Sequence, residues 1–160
     1  MLGLIHRNSD FLMGSDLDYD HPEVQEDVLN WGKWLASQIP LKGFRFDAIK
    51  HYSEDFLRDF ITNMDETYGS DWFVVGEFWK DSLQDMESYL DRMGRKFALF
   101  DAPLVYNFSE ISQANGADLR KVFDDTLVQA APICAVVSCL HNSADLHAHA
   151  DHKAPSHRHS

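Results

Sequence analysis

Gly43-Phe44-Arg45-Phe46-Asp47 is a short apolar run that ends in an acid, and Trp72-Phe73-Val74-Val75-Gly76-Glu77 repeats this pattern further along the chain. A third apolar run covers residues 97–100 and is followed by Asp101. Stretches with helical periodicity separate the three runs. Strands that alternate with helices in this way form βαβ units around a parallel sheet. The sequence therefore predicts either an open doubly wound sheet or part of a (β/α)8 barrel.

The helices between the runs have recognisable starts. Pro22 suits the first turn of a helix, because its missing N–H is not needed there. Ser53 and Ser82 suit the N-cap positions of two further helices, and Asp118 suits that of a fourth. The apolar side chains that recur at helical spacing are Val24, Val28, Trp31 and Leu35 in the first helix, and Phe56, Leu57, Phe60, Ile61 and Met64 in the second.

The charge balance limits the possible partners. The chain has 160 residues, of which 26 are acidic and 14 are basic, giving a net charge of −12. Such a field repels phosphate backbones and anionic lipids, so we expect neither nucleic acid nor a membrane as partner. The sequence contains no apolar run of bilayer length and does not begin with a recognisable signal peptide, which favours a cytoplasmic location. Cys134 and Cys139 are too few for a disulfide framework.

The acids at the strand ends are the candidate chemistry. Asp47 and Glu77 follow consecutive strands, and the carboxyl ends of parallel strands meet at one edge of the sheet. Two neighbouring carboxylates suit glycoside hydrolysis, in which one attacks the anomeric carbon and the other protonates the leaving oxygen. The alternative is that each acid only caps the following helix. Arg45 lies two residues before Asp47, on the same strand face, and favours the catalytic interpretation. No Gly-x-Gly-x-x-Gly loop follows a strand, which argues against dinucleotide binding.

Two of these segments resemble those of the alpha-amylase family. The segment from Gly43 to His51 resembles the family segment that carries the nucleophile, and Gly76-Glu77-Phe78-Trp79 resembles the one that carries the acid/base. The resemblance implies that Asp47 is the nucleophile, Glu77 the acid/base and Arg45 the cation that orients the nucleophile. It also implies that the substrate-binding residues include Lys50, His51 and Trp79, with Trp79 as a stacking platform.

The resemblance extends to both sides of these segments. Residues 10–22 resemble the end of the calcium-holding excursion of the family, which implies Ca²⁺ as a cofactor. The implied ligands are Asp10, Asp16 and the backbone carbonyl of His51, and oxygen atoms are the ligands that calcium prefers. The segment that begins at Phe100 resembles the end of the sixth barrel strand, where Asp101 has a structural role.

We therefore expect three zones. Residues 1–21 are the end of the calcium-binding excursion, and residues 22–132 are a partial (β/α)8 TIM barrel that covers about strands four to six with their helices. Residues 133–160 diverge from the family and are expected to form a disordered, histidine-rich tail. After Ala130 the family continues to an Asn-His-Asp segment with a third catalytic carboxylate, which this sequence does not contain.

The implied function is endo-hydrolysis of 1,4-alpha-glucosidic bonds in starch-like or glycogen-like glucans by a retaining double-displacement mechanism. Two other interpretations stay open. The chain is a non-catalytic remnant with residual calcium or glucan binding, or it is an unrelated (β/α) enzyme that uses the same carboxylates on another substrate.

Overall fold

A computed structural model describes residues 17–69 and 72–137 of the chain. Helices and strands alternate along most of these residues. The elements are α1 (Pro22–Gln38), β1 (Gly43–Phe46), α2 (Glu54–Tyr68), β2 (Phe73–Gly76), α3 (Leu83–Arg92), β3 (Ala98–Phe100), α4 (Ala102–Gln113), α5 (Leu127–Ala130) and β4 (Ala135–Val136). Short 3-10 turns occur at Ile49–His51, Leu119–Lys121 and Pro132–Cys134.

The strands form one parallel sheet in the order β1-β2-β3-β4. The predicted α/β class and parallel sheet are therefore confirmed. β4 was not predicted, and it extends the sheet beyond residue 132. β1 pairs with β2 from Gly43↔Phe73 to Phe46↔Gly76. β1 was expected to be buried but is only partly so, because it pairs on a single side among the described residues.

The main apolar core lies between α3 and the sheet. Met86, Tyr89 and Leu90 of α3 are fully buried, as is Leu99 of β3. The three α3 residues occupy one face of the helix, because residues three and four apart align on a helix. The core holds α3 against the sheet and so supports the strand ends where the acids lie.

Helix α1 packs against α2 through a glycine rather than through its large side chains. Gly32 is buried, and a Cβ atom at this position would lie 2.5 Å from Cζ of Phe60. Trp31, which was predicted to share the apolar face of α1, is instead 55 % exposed. The prediction failed because the close approach of the helices centres on Gly32, the next residue, and turns Trp31 outward.

The N-caps predicted at Ser53 and Ser82 are confirmed. The Ser53 hydroxyl accepts a hydrogen bond from the Phe56 N–H at 3.3 Å, and the Ser82 hydroxyl accepts one from the Asp85 N–H at 3.2 Å. The fourth predicted helix, after Asp118, is wrong, since only the short turn Leu119–Lys121 forms there.

Helix α4 was not predicted, since the segment that begins at Phe100 resembles only a strand end. Asp101 caps it, with its carboxylate accepting from the Leu104 N–H at 3.1 Å. The other Asp101 oxygen accepts from the Val128 N–H of α5 at 2.7 Å. This buried carboxylate therefore joins two helices, in keeping with its predicted structural role.

The expected tail beyond residue 137 and most of the expected calcium excursion lie outside the described residues. Among residues 17–69 and 72–137, no helix is both long and apolar enough to cross a bilayer.

Candidate active site

The two candidate catalytic acids lie side by side where β1 and β2 end. Phe46 and Gly76 are the last paired residues of these strands, and Asp47 and Glu77 follow them directly. The Glu77 N–H donates to the Phe46 carbonyl at 2.9 Å, which continues the pairing by one bond. The strand register therefore brings the two carboxylates together although they lie 30 positions apart in the chain, at 47 and 77.

Arg45 bridges the two carboxylates. Its Nη1 atom lies 2.5 Å from Oδ1 of Asp47, and its Nη2 atom lies 3.0 Å from Oε2 of Glu77. The guanidinium also lies over the Phe100 ring, 5.7 Å from the ring centroid. A planar guanidinium offers donors in a fixed fork, so it can hold two acids at a defined separation. Alternation along β1 places Arg45 and Asp47 on the same face of the strand.

The two acids differ in environment. The Asp47 side chain is 67 % exposed, whereas that of Glu77 is only 14 % exposed. The pKa of Asp47 lies below its ordinary value, chiefly because Glu77 hydrogen-bonds to it, and Arg45 also lowers it. The pKa of Glu77 lies above its ordinary value, chiefly because burial penalises the charged form, and the bond to Asp47 raises it further. Asp47 is therefore the stronger acid of the pair and Glu77 the weaker.

Comparison with known proteins identifies the family to which the chain belongs. The profile of the alpha amylase catalytic domain matches residues 8–143. An alpha-amylase of Bacillus licheniformis is 42 % identical over 130 residues, which is 81 % of this chain and 25 % of the relative. A glucan 1,4-alpha-maltohexaosidase of Bacillus sp. (strain 707) matches with the same identity and the same coverage.

The chain belongs to the alpha-amylase family. It spans about a quarter of the length of these relatives, 25 % in each case. The structure of an alpha-amylase from Geobacillus thermoleovorans, complexed with acarbose, superposes with a TM-score of 0.60 at 24 % identity. That match covers 68 % of this chain and 24 % of the other, so the fold described here corresponds to part of an alpha-amylase barrel.

Lys50 and His51 occupy the 3-10 turn that follows Asp47 in this alpha-amylase segment, and both are half-buried. Burial lowers the pKa of Lys50, the positive charge of Lys80 lowers it further, and Glu77 counteracts both. Lys50 therefore lies within electrostatic range of the acid pair. Lys80, an exposed residue three positions after Glu77, was not among the predicted site residues. Its place in the loop after β2 is the signal that could have identified it.

Trp79 does not have the exposed face that a stacking platform needs. Its side chain is 6 % exposed, and its ring lies at a tilt to that of Tyr106, with 6.2 Å between the centroids. The structure therefore places Trp79 inside the molecule, and we do not include it among the proposed sugar contacts.

The predicted calcium ligands fall largely outside the described residues. Asp10 and Asp16 lie outside the described residues, whereas His51 is described and lies in the 3-10 turn after β1. Within residues 17–69 and 72–137, no group of three or more histidine, cysteine or acidic side chains is arranged to hold a metal ion. Ligation of Ca²⁺ by these three residues stays a prediction.

Proposed function

We propose that this chain carries the nucleophile and the acid/base of a retaining hydrolase of 1,4-alpha-glucosidic bonds. Asp47 is the nucleophile, Glu77 the acid/base, and Arg45 holds both in position. The observation that carries this proposal is the shared guanidinium, which bridges one carboxylate with a lowered pKa and one with a raised pKa. Acids whose environments push their pKa values apart are typical of general acid catalysis beside a nucleophile.

The proposed reaction has two steps, in which Asp47 acts as the ionised nucleophile and Glu77 acts first as an acid and then as a base. The ionised Asp47 attacks the anomeric carbon while Glu77 transfers its proton to the leaving glycosidic oxygen, which leaves a covalent glycosyl-Asp47 intermediate. Glu77, now ionised, accepts a proton from a water molecule as the oxygen of that water attacks the anomeric carbon and displaces the Asp47 carboxylate. The second step restores the starting state of both acids.

The closeness of the acids supports retention of configuration. Inverting enzymes separate their carboxyl groups by roughly 6.5–9.5 Å so that a water molecule fits between them and the sugar. Nη1 and Nη2 of Arg45 contact Asp47 at 2.5 Å and Glu77 at 3.0 Å, so adjacent nitrogens of one guanidinium hold the two carboxyl groups, which favours the shorter separation of retaining enzymes.

The names of the relatives support an alpha-glucan as the substrate. They are an alpha-amylase and a glucan 1,4-alpha-maltohexaosidase, and the structural neighbour holds acarbose. We propose that Lys50 and His51, which follow the nucleophile, contact the sugar beyond the cleaved bond. A calcium ion held by Asp10, Asp16 and the His51 carbonyl would stabilise the loop that precedes α1.

A reducing-sugar assay on soluble starch tests the proposal. We expect activity in the unmodified chain. In Asp47→Asn and in Glu77→Gln we expect the rate of starch hydrolysis to fall by roughly 10²–10⁴-fold or more, since each substitution removes a group that reacts directly. Glu66→Gln, an exposed acid near the end of α2, is the matched control and should keep full activity. Proton NMR of the first product formed should show the alpha anomer, and a beta anomer would exclude retention.

A non-catalytic remnant is the second candidate. It is the alternative that the sequence leaves open, with residual binding of calcium or glucan and no turnover. A folded chain that binds maltooligosaccharide without turnover, with and without added calcium, would support the remnant and contradict the enzyme.

A further inference from the structure

The ladder between β1 and β2 is interrupted beside the acid/base. The Glu77 N–H donates to the Phe46 carbonyl at 2.9 Å, as in a regular parallel pair. In an unbroken ladder, the Glu77 carbonyl would then accept from the N–H of Ala48. It accepts instead from the N–H of Ile49, at 3.1 Å. Asp47 and Ala48 together therefore oppose the single residue Glu77, which is a β-bulge.

The extra residue of the bulge has an unusual backbone conformation. Ala48 lies in the left-handed region, with φ 48° and ψ 41°. A residue with a Cβ atom is disfavoured there, and alanine has no polar side chain to compensate. Ile49, the next residue, is fully buried and anchors the turn in the core. The surrounding packing therefore maintains a backbone conformation that Ala48 would not prefer by itself.

The bulge changes the partner of one N–H group. Released from the ladder, the Ala48 N–H points to Oε2 of Glu77, at 3.4 Å. The same oxygen accepts from Nη2 of Arg45 at 3.0 Å. The segment from Phe46 to Ile49 thus contacts Glu77 at its amide, its carbonyl and its carboxylate.

We propose that the bulge at Ala48 is a positioning device for the acid/base, in which the freed amide orients the Glu77 carboxyl group. Oε2 already accepts from two N–H donors, so the transferable proton resides on Oε1. Ala48 does not react; it acts through Glu77. This inference rests on the proposed function for its catalytic meaning, but the hydrogen bond itself is independent of turnover.

An amide-to-ester replacement at Ala48 removes the N–H and keeps the side chain. It is made by incorporating L-lactic acid at position 48 of the full chain. The same replacement at Ile49 is the matched control, because it removes an N–H that contacts the Glu77 carbonyl rather than the carboxylate. The readout is the titration midpoint of the Glu77 carboxyl in ¹³C NMR, assigned with Glu77→Gln.

We expect the midpoint to rise in the Ala48 ester, since a donor that favours the ionised form is lost, and to stay unchanged in the Ile49 ester. A midpoint that does not move in the Ala48 ester, or that moves equally in both, would overturn the inference. In the unmodified chain, which avoids any effect of the ester on folding, the Ala48 amide proton should shift as Glu77 titrates. An Ala48 amide that does not respond would also overturn the inference. If the chain does not hydrolyse starch but the Glu77 midpoint and the Ala48 amide proton shift as expected, the proposed function is contradicted and the positioning role of Ala48 is supported.

Discussion

Arg45 is the residue on which the geometry of the acid pair depends. Its two terminal nitrogens contact different carboxylates, so a lysine, with a single ammonium group, cannot replace both bonds with the same geometry. We expect Arg45→Lys to lower kcat on starch by on the order of 10²-fold, the typical effect of a small displacement of reacting groups. Thermal unfolding should change little, because the Arg45 side chain is 50 % exposed.

Arg92→Lys is the matched control for this substitution. Arg92 makes a similar two-bond contact, to Glu54, but it joins α3 to α2 away from the acid pair. Its substitution should leave kcat unchanged. Equal losses of activity in the two variants would show that Arg45 acts through general stability.

Glu77 should link the stability of the chain to pH. Because folding raises its pKa, the folded state holds the proton over a range in which the unfolded chain has lost it. This contribution to stability is complete at low pH and is lost as the pH rises through the folded-state pKa. Asp47 has the opposite sign, since its lowered pKa gives a contribution that is lost as the pH falls.

Glu77→Gln should therefore gain in stability relative to the unmodified chain as the pH rises from about 3 to about 8. Urea unfolding at several pH values measures this difference in the free energy of unfolding. Glu66→Gln reports the effect of losing an exposed carboxylate. A Glu77→Gln difference that stays constant with pH, or that changes in the same way as the control, would contradict the burial of this carboxyl.

The Tyr89 hydroxyl is a further test of the core. It is fully buried, and it has no hydrogen-bond partner within the described part of the chain. The ring itself packs well, stacked on Phe78 with 4.3 Å between the centroids. Tyr89→Phe should thus leave the free energy of unfolding unchanged or raise it by about 1 kcal/mol, because an unpaired buried hydroxyl is removed. A clear loss of stability in urea unfolding would instead reveal a partner for the hydroxyl.

Sequence reasoning could place the acids because their position depends on a simple rule. Asp47 and Glu77 each end an apolar run, and parallel strands align their carboxyl ends. The role of Ala48 could not be predicted, since nothing in the side chain of alanine indicates a left-handed backbone. The burial of Trp79 was also missed, because sequence spacing does not show which face of a loop turns inward.

At the scale of elements, the contact between α1 and α2 gives a sharp prediction. Glycine to alanine in an exposed helix interior usually stabilises, by about 0.5–1 kcal/mol. At Gly32 the added Cβ would lie 2.5 Å from Cζ of Phe60, whose ring is held by Phe44 and Phe46. We expect Gly32→Ala to lower the free energy of unfolding by about 1–3 kcal/mol, the usual cost of overpacking. Urea unfolding measures the change.

A second substitution separates the clash from other effects on α1. Phe60→Leu shortens the side chain, so Gly32→Ala should cost less in that background than in the unmodified chain. If the cost is the same in both backgrounds, contact between the two helices does not explain it.

Helices with several turns of apolar periodicity were predicted well. Segments whose structure depends on a few local residues were predicted poorly. The sequence Asp101-Ala102-Pro103 places an N-cap and a proline at a helix start, which was sufficient to predict α4. After Asp118 the cap forms as predicted, but Asp125 adopts a positive φ of 54° and the chain turns away before a helix can develop.

For the molecule as a whole, the described residues leave large apolar side chains exposed near the starts of two strands and on α1. Phe73, at the start of β2, is 57 % exposed, and Ile133, just before β4, is 96 % exposed. On α1, Trp31 and Trp34 are 55 % and 58 % exposed. Their spacing of three residues places them on one side of the helix. Exposed apolar surface of this kind promotes association.

We therefore expect the isolated chain to associate in a concentration-dependent manner, which sedimentation velocity measures directly. Trp34→Lys should weaken this association, because it replaces exposed apolar surface with a charge. Asn30→Lys is the matched control, since it adds the same charge at an exposed position of α1 without removing an aromatic ring. If the unmodified chain sediments as a monomer at all concentrations and unfolds cooperatively, the exposed tryptophans do not drive association. If both variants weaken association equally, charge rather than the apolar surface of α1 controls it.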